Sequence, residues 1–123
     1  MIANREAYGN ALVKLYDVKP NIVVLDADLA KATYSEIFHK AHPESFVECG
    51  IAEQNMMGVA AGMATCGMIP FVSTFAVFAS IRAGEQFRNS VCYPHLNVKV
   101  VGTHAGVECG ADGATHQALE DVA

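Results

Sequence analysis

The chain has 123 residues, 52% of them hydrophobic, and a formal net charge of −5. That length predicts one domain with a usable core, no apolar run approaches the ~20 residues of a membrane-spanning helix, and an acidic chain without a basic cluster argues against nucleic acid as partner. Cys49, Cys66, Cys92 and Cys109 are scattered, with no Cys-x-x-Cys pair, so they read as reduced thiols of a cytoplasmic protein. The first residues show no basic stretch followed by an apolar run, so no secretion signal is expected.

Residues 4–16 predict an amphipathic helix, with Ala7, Ala11 and Leu15 on one face beside Tyr8 and Leu12, and Asn4 placed to cap it. Pro20-Asn21 marks a turn. Residues 22–25, Ile-Val-Val-Leu, read as a strand buried on both faces, ending in the polar run Asp26-Ala-Asp28-Leu29. Thr33-x-x-Glu36 has the form of a capping box, for a helix that stops before Pro43. Residues 46–49 read as a second strand. A helix is expected from Glu53, with Gly58, Ala61, Gly62 and Thr65 as a small-residue stripe and Gly67 as its stop.

Residues 69–75 predict a third strand, and residues 76–90 a helix with Phe78, Ile81 and Phe87 facing inward. Pro94 breaks the chain before a fourth strand at 97–103. A loop at 104–114 leads to a helix expected to begin at Thr115, with Leu119 and Val122 as its first core contacts. So short a helix needs further packing, which predicts that the natural domain continues past Ala123. Alternating strands and helices give the fold class: α/β, a parallel sheet flanked by helices on both faces. Ligands of such sheets gather at the carboxyl ends of the strands, where Asp28, Glu53, Phe75 and His104 all fall.

Two runs carry chemistry. In Glu53-Gln-Asn-Met-Met-Gly58-Val59-Ala-Ala-Gly62, a single carboxylate heads a helix paced by glycines. In Gly110-Ala-Asp112-Gly113-Ala-Thr115-His116-Gln117, a Gly-rich loop ends in Asp and His. Taken singly, each has an ordinary reading. Glu53 could be a first-turn carboxylate favoured by the helix dipole. Phe75 and Phe78 could be plain core residues, Arg5 a surface charge, Asp28 a strand-end turn, and Asp112 part of a Gly-rich turn.

Together, in this order and separation, the runs resemble the pyrimidine-binding domain of thiamine diphosphate enzymes, within them most of all transketolase. The resemblance implies that Glu53 holds the aminopyrimidine and activates the cofactor, that Phe75, Phe78 and Ile81 enclose its ring, and that Asp28 and Leu29 lie beside its thiazolium. It implies catalytic and substrate-binding parts for His116, and substrate contacts for Asp112, His104 and Arg5, the last two at sugar phosphates. The family often has an aromatic where Ile81 stands and a Ser where Ala32 stands.

The Mg²⁺ that bridges the cofactor to protein is held in this family by another domain, whose Gly-Asp-Gly…Asn signature is absent here. The resemblance therefore implies a diphosphate-binding partner subunit or domain, in a homodimer or heterotetramer, and transfer of a two-carbon ketol unit between sugar phosphates. Alternatives are a likeness to 1-deoxyxylulose-5-phosphate synthase, to the β subunit of 2-oxo acid dehydrogenases, or a non-catalytic fragment or assembly module. A zinc site at His104, Cys109 and His116 lacks a usual spacing and a fourth ligand.

Overall fold

The structure is a computed structural model and describes residues 2–107 and 109–123. Met1, and Glu108 within the expected loop, lie outside the described residues. In chain order the elements are α1 (Asn4–Tyr16), β1 (Ile22–Asp26), the short α2 (Ala30–Thr33), α3 (Glu36–Ala41), β2 (Phe46–Glu48), α4 (Glu53–Thr65), β3 (Ile69–Phe75), α5 (Gly84–Gln86) and β4 (Lys99–Thr103). Wide π-helical turns, Phe78–Arg82 and Phe87–Cys92, flank α5, and a 3₁₀ segment covers Gly110–His116.

The strands form one parallel sheet in the order β2-β1-β3-β4. Strand β1 lies inside it, and its residues are buried throughout. Because successive side chains point to opposite faces, Ile22 and Val24 pack with Leu12 and Phe38 on the α1 and α3 side, while Val23 and Leu25 pack with Met56, Met57, Ala60 and Val72 on the α4 side. Burying a large apolar side chain contributes about 1.5–3 kcal/mol, so these two small cores hold helices to both faces. Helix α4 ends as its sequence predicts: Gly67 has φ +86°, its N–H donates to Ala64 O, and the Met68 N–H donates to Met63 O.

Several expectations fail locally. Ala3, not Asn4, precedes the first turn of α1, without a side-chain cap. Ala7 and Ala11 are exposed, so the packed face is Tyr8, Leu12, Leu15 and Tyr16. Thr33 is not the cap of α3, which Ser35 precedes; it closes α2, and its hydroxyl turns inward to Asp26 while accepting from the Ser35 N–H. Ile81 is 56% exposed, because the wide turn at Phe78–Arg82 alters the register of a regular helix. No helix begins at Thr115. Gly113 at φ +72° breaks the 3₁₀ segment, and the backbone then pairs Ala118 with Gly106. Leu119 and Val122 are exposed rather than core contacts.

Candidate functional site

Since all strands are parallel, their carboxyl ends share one edge, and the chemistry-bearing residues collect there. Glu53 opens α4, yet it is not a solvated first-turn carboxylate: its side chain is 1% exposed. Its partner is Arg82, whose Nη1 donates to Oε2 at 2.9 Å and to Oε1 at 3.1 Å. The same guanidinium lies 4.3 Å from the ring centre of Phe78, within cation–π range.

Phe78 is stacked with Phe75 at 5.9 Å, the planes 6° apart. His104 tilts against Phe75 at 4.1 Å. His116 meets Phe78 edge-on at 5.3 Å and Phe75 at 6.1 Å. Leu29 and Ala32 pack against the cluster of Phe75, Ala76, Val77 and Ala118. Arg5, far away in sequence, places Nη1 2.7 Å from His104 Nε2 and donates to Ala32 O at 3.3 Å. Arginine can only donate, so His104 Nε2 accepts. Nδ1 then carries the proton and donates to Thr103 Oγ1 at 2.9 Å. An open cleft of about 730 Å³ lies beside this pair, lined by Asn4, Arg5, Tyr8, Thr103, His104 and Cys109 among others.

The structure thus brings together Glu53, Phe75, Phe78, His116, His104, Arg5 and Leu29, partly through one another. Asp28 has φ +61° and an exposed side chain, its N–H donating to Glu48 Oε1 at 2.8 Å. Asp112 is exposed on the 3₁₀ segment. Ile81 faces solvent rather than the rings.

Four residues that matter here escape sequence reading. Arg82 was hidden at the end of an apolar run, four positions after Phe78; a lone cation in such a run is the signal that could have found it. Glu48 ties two turns, accepting from the N–H groups of Asp28 and Gly50. Cys109 is buried with its Sγ between the carbonyls of His104 and His116, where its single S–H can donate to one of them at a time. Asp26 is fully buried under the site: Leu29 N–H donates to Oδ1 at 2.7 Å, and the hydroxyls of Thr33 and Ser35 donate to Oδ2 at 2.8 Å each. Burial pushes its carboxyl pKa up, and the three donors only partly offset this. Tyr8, bonded to Ser73 at 2.8 Å, likewise has its hydroxyl pKa raised by burial.

At the carboxyl edge of a parallel α/β sheet, a buried carboxyl group and a pair of aromatic rings are thus joined through one arginine. Residues 1–123 match the family model described as transketolase, pyrimidine binding domain, and the chain belongs to that family. It is 55% identical over 119 residues to a Methanocaldococcus jannaschii protein provisionally named as a transketolase C-terminal section, covering 97% of this chain and 38% of that one. Human transketolase is 48% identical over 123 residues, 99% of this chain and 19% of that one. A solved structure described as a split gene transketolase, inactive β4 tetramer, superposes with a TM-score of 0.83 at 63% identity, over 98% of this chain and 38% of that chain. The chain therefore spans less than two-fifths of each of these relatives.

Proposed function

We propose that this chain supplies the pyrimidine half of a thiamine diphosphate site, and that with a diphosphate-binding partner it transfers a two-carbon ketol unit between sugar phosphates. The observation that carries the reading is Glu53, a carboxylate 1% exposed at the sheet's carboxyl edge and linked through Arg82 to a ring pair. Such a group fits an aminopyrimidine: it offers an aimed oxygen in a low-dielectric wall, while Phe75 and Phe78 offer aromatic surface. When bound, the cofactor supplies the nucleophilic carbon for ketol transfer.

The residues of this chain prepare that chemistry. Glu53 holds a proton at a ring nitrogen, and Leu29 adds apolar wall. His116, over the edge of Phe78, is placed to donate or accept at a substrate oxygen. Arg5 and His104, beside the open cleft, suit a substrate phosphate, with the arginine as the charged donor. Asp28 and Asp112 are exposed and are assigned to the thiazolium side and to substrate hydroxyls.

Mg²⁺ and the diphosphate belong to the partner in this reading. The exposed side of α4 suits that contact, since Gly58 and Gly62 have nothing within 4 Å of where a Cβ would stand. The relative described as an inactive β4 tetramer supports assembly into an oligomer; a homodimer or a heterotetramer with the diphosphate-binding partner is the form proposed for this chain. Four unpaired thiols are in keeping with a cytoplasmic enzyme. Calorimetry with thiamine diphosphate and Mg²⁺, on this chain with and without a diphosphate-domain partner, tests the reading. Binding only with the partner, followed by ketol transfer, is the expected result. Pyruvate consumption with CO₂ release would move the assignment to the synthase or dehydrogenase relatives.

A further inference from the structure

We infer that Arg82 is a latch: it occupies Glu53 and covers Phe78 while no ring is bound, and it must swing away before an aminopyrimidine can enter. The inference rests on the pyrimidine-site reading above and adds to it a competitor built into the chain.

Three observations carry it. First, one side chain takes both features a ring would use. Arg82 Nη1 contacts both oxygens of Glu53, and its guanidinium stands over the Phe78 ring. Second, the pair is unequal. Glu53 is 1% exposed, whereas Arg82 is 46% exposed. A buried carboxylate without a partner is strongly disfavoured, so Glu53 needs an occupant, whereas the half-exposed arginine can be hydrated fully when it leaves. Third, the grip is loose. Both contacts come from a single nitrogen, and not from the two-nitrogen fork that makes arginine–carboxylate pairs strong and rigid.

The local backbone is consistent with this arrangement. Phe78–Arg82 forms a π-helical turn, closed by the Ala83 N–H donating to Phe78 O at 2.9 Å. The extra residue in that turn lets Arg82 lie over Phe78 while Ile81 goes to solvent. Wide turns of this type cost backbone geometry and recur where a side chain must be aimed. Arg82 thus acts as a positioning residue through Glu53: it keeps the carboxylate oriented until the ring replaces it.

A latch closed most of the time lowers apparent affinity by the open fraction. The test uses 4-amino-2-methylpyrimidine, a ring probe that needs no diphosphate domain, titrated into the chain while the ring resonances of Phe75 and Phe78 are followed by NMR. The wild type, Arg82→Gln and Arg82→Lys are compared. Arg82→Gln is expected to bind about 10-fold more tightly than wild type. Arg82→Lys, which keeps a charge near Glu53, is expected to lie between them. Equal or weaker binding by Arg82→Gln overturns the latch.

Should that variant fail to fold, the wild type decides alone. Its Arg82 Nε–H signal should move to the free, solvent-exchanging position as the probe saturates, and an unmoved signal at saturation rejects the inference. Absence of probe-induced shifts at Phe75 and Phe78 in all folded chains would reject the pyrimidine-site reading itself, and the latch with it.

Discussion

Two carboxylates are buried at the same sheet edge, and they are held in opposite ways. Asp26 is surrounded by neutral donors from Leu29, Thr33 and Ser35, all within nine residues along the chain. Glu53 is held by one cation from a distant turn, on the solvent side. The first arrangement is closed, local and part of the scaffold; nothing could replace three short-range donors without rebuilding the turn after β1. The second is open and exchangeable. A carboxylate meant for a ligand needs a partner that can leave, and the unequal burial of Arg82 and Glu53 has that property.

Substitutions can break this contrast. The largest effect is expected from Glu53→Gln, which keeps the shape and removes the charge: turnover of the assembled enzyme should fall by ~10²–10⁴-fold with the fold intact by circular dichroism. Near-normal turnover would remove Glu53 from the chemistry. Asp26→Ala should do the reverse, lowering stability by ~3 kcal/mol in urea unfolding, because buried donors left unsatisfied cost about 1–3 kcal/mol each. A loss below about 1 kcal/mol would show that the network is not needed for the scaffold.

A third change probes how α1 packs on the turn that carries Thr33 and Ser35. A Cβ at Gly9 would stand 2.4 Å from Tyr34 O, so Gly9→Ala must push α1 off α3, at a cost of about 1–3 kcal/mol. Unchanged unfolding would mean that the two helices separate freely.

The smallest effect is a pH dependence. Burial raises the folded pKa of Asp26 above its usual 3.8, so the unfolded chain releases this proton first as pH rises. Asp26 therefore adds a penalty that is absent below about pH 3.8, grows through the window up to the raised folded value, and is constant above it. Asp26→Asn should lack that slope, so the stability difference between the two chains should change with pH only inside the window. A parallel pair of stability curves would count against the shift.

The order of strands and helices was legible because it rests on local information. Apolar β-branched runs such as 22–25 have no other good fate than an inner strand, and Gly67 can stop α4 because only glycine takes its positive φ readily. The carboxylate at the head of α4, the ring pair and the histidines after β4 were legible by their runs and by their place after strands.

What was not legible depends on distance or on competition for the backbone. The Glu53–Arg82 contact spans 29 residues and needs a π-helical turn, for which periodicity gives no warning. Thr33 and Glu36 had the spacing of a cap, but the buried Asp26 claimed the hydroxyl. The helix expected at Thr115 lost to Gly113, whose left-handed φ turns the chain, and to the pairing of Gly106 with Ala118.

That pairing has a dynamic consequence. Among the described residues, two backbone hydrogen bonds, Gly106 N–H to Ala118 O at 2.9 Å and Ala118 N–H to Gly106 O at 3.0 Å, join the segment carrying His116 back to the loop after β4, beside the contact of the Cys109 thiol with the His116 carbonyl. Isolated bridges of this kind open at far lower free energy than an inner strand. Amide exchange at Gly106 and Ala118 therefore reports how often the histidine leaves the rings, while the amides of β1 report the whole fold. The ratio of the two rates measures how much of this protein's motion is confined to one wall of its site.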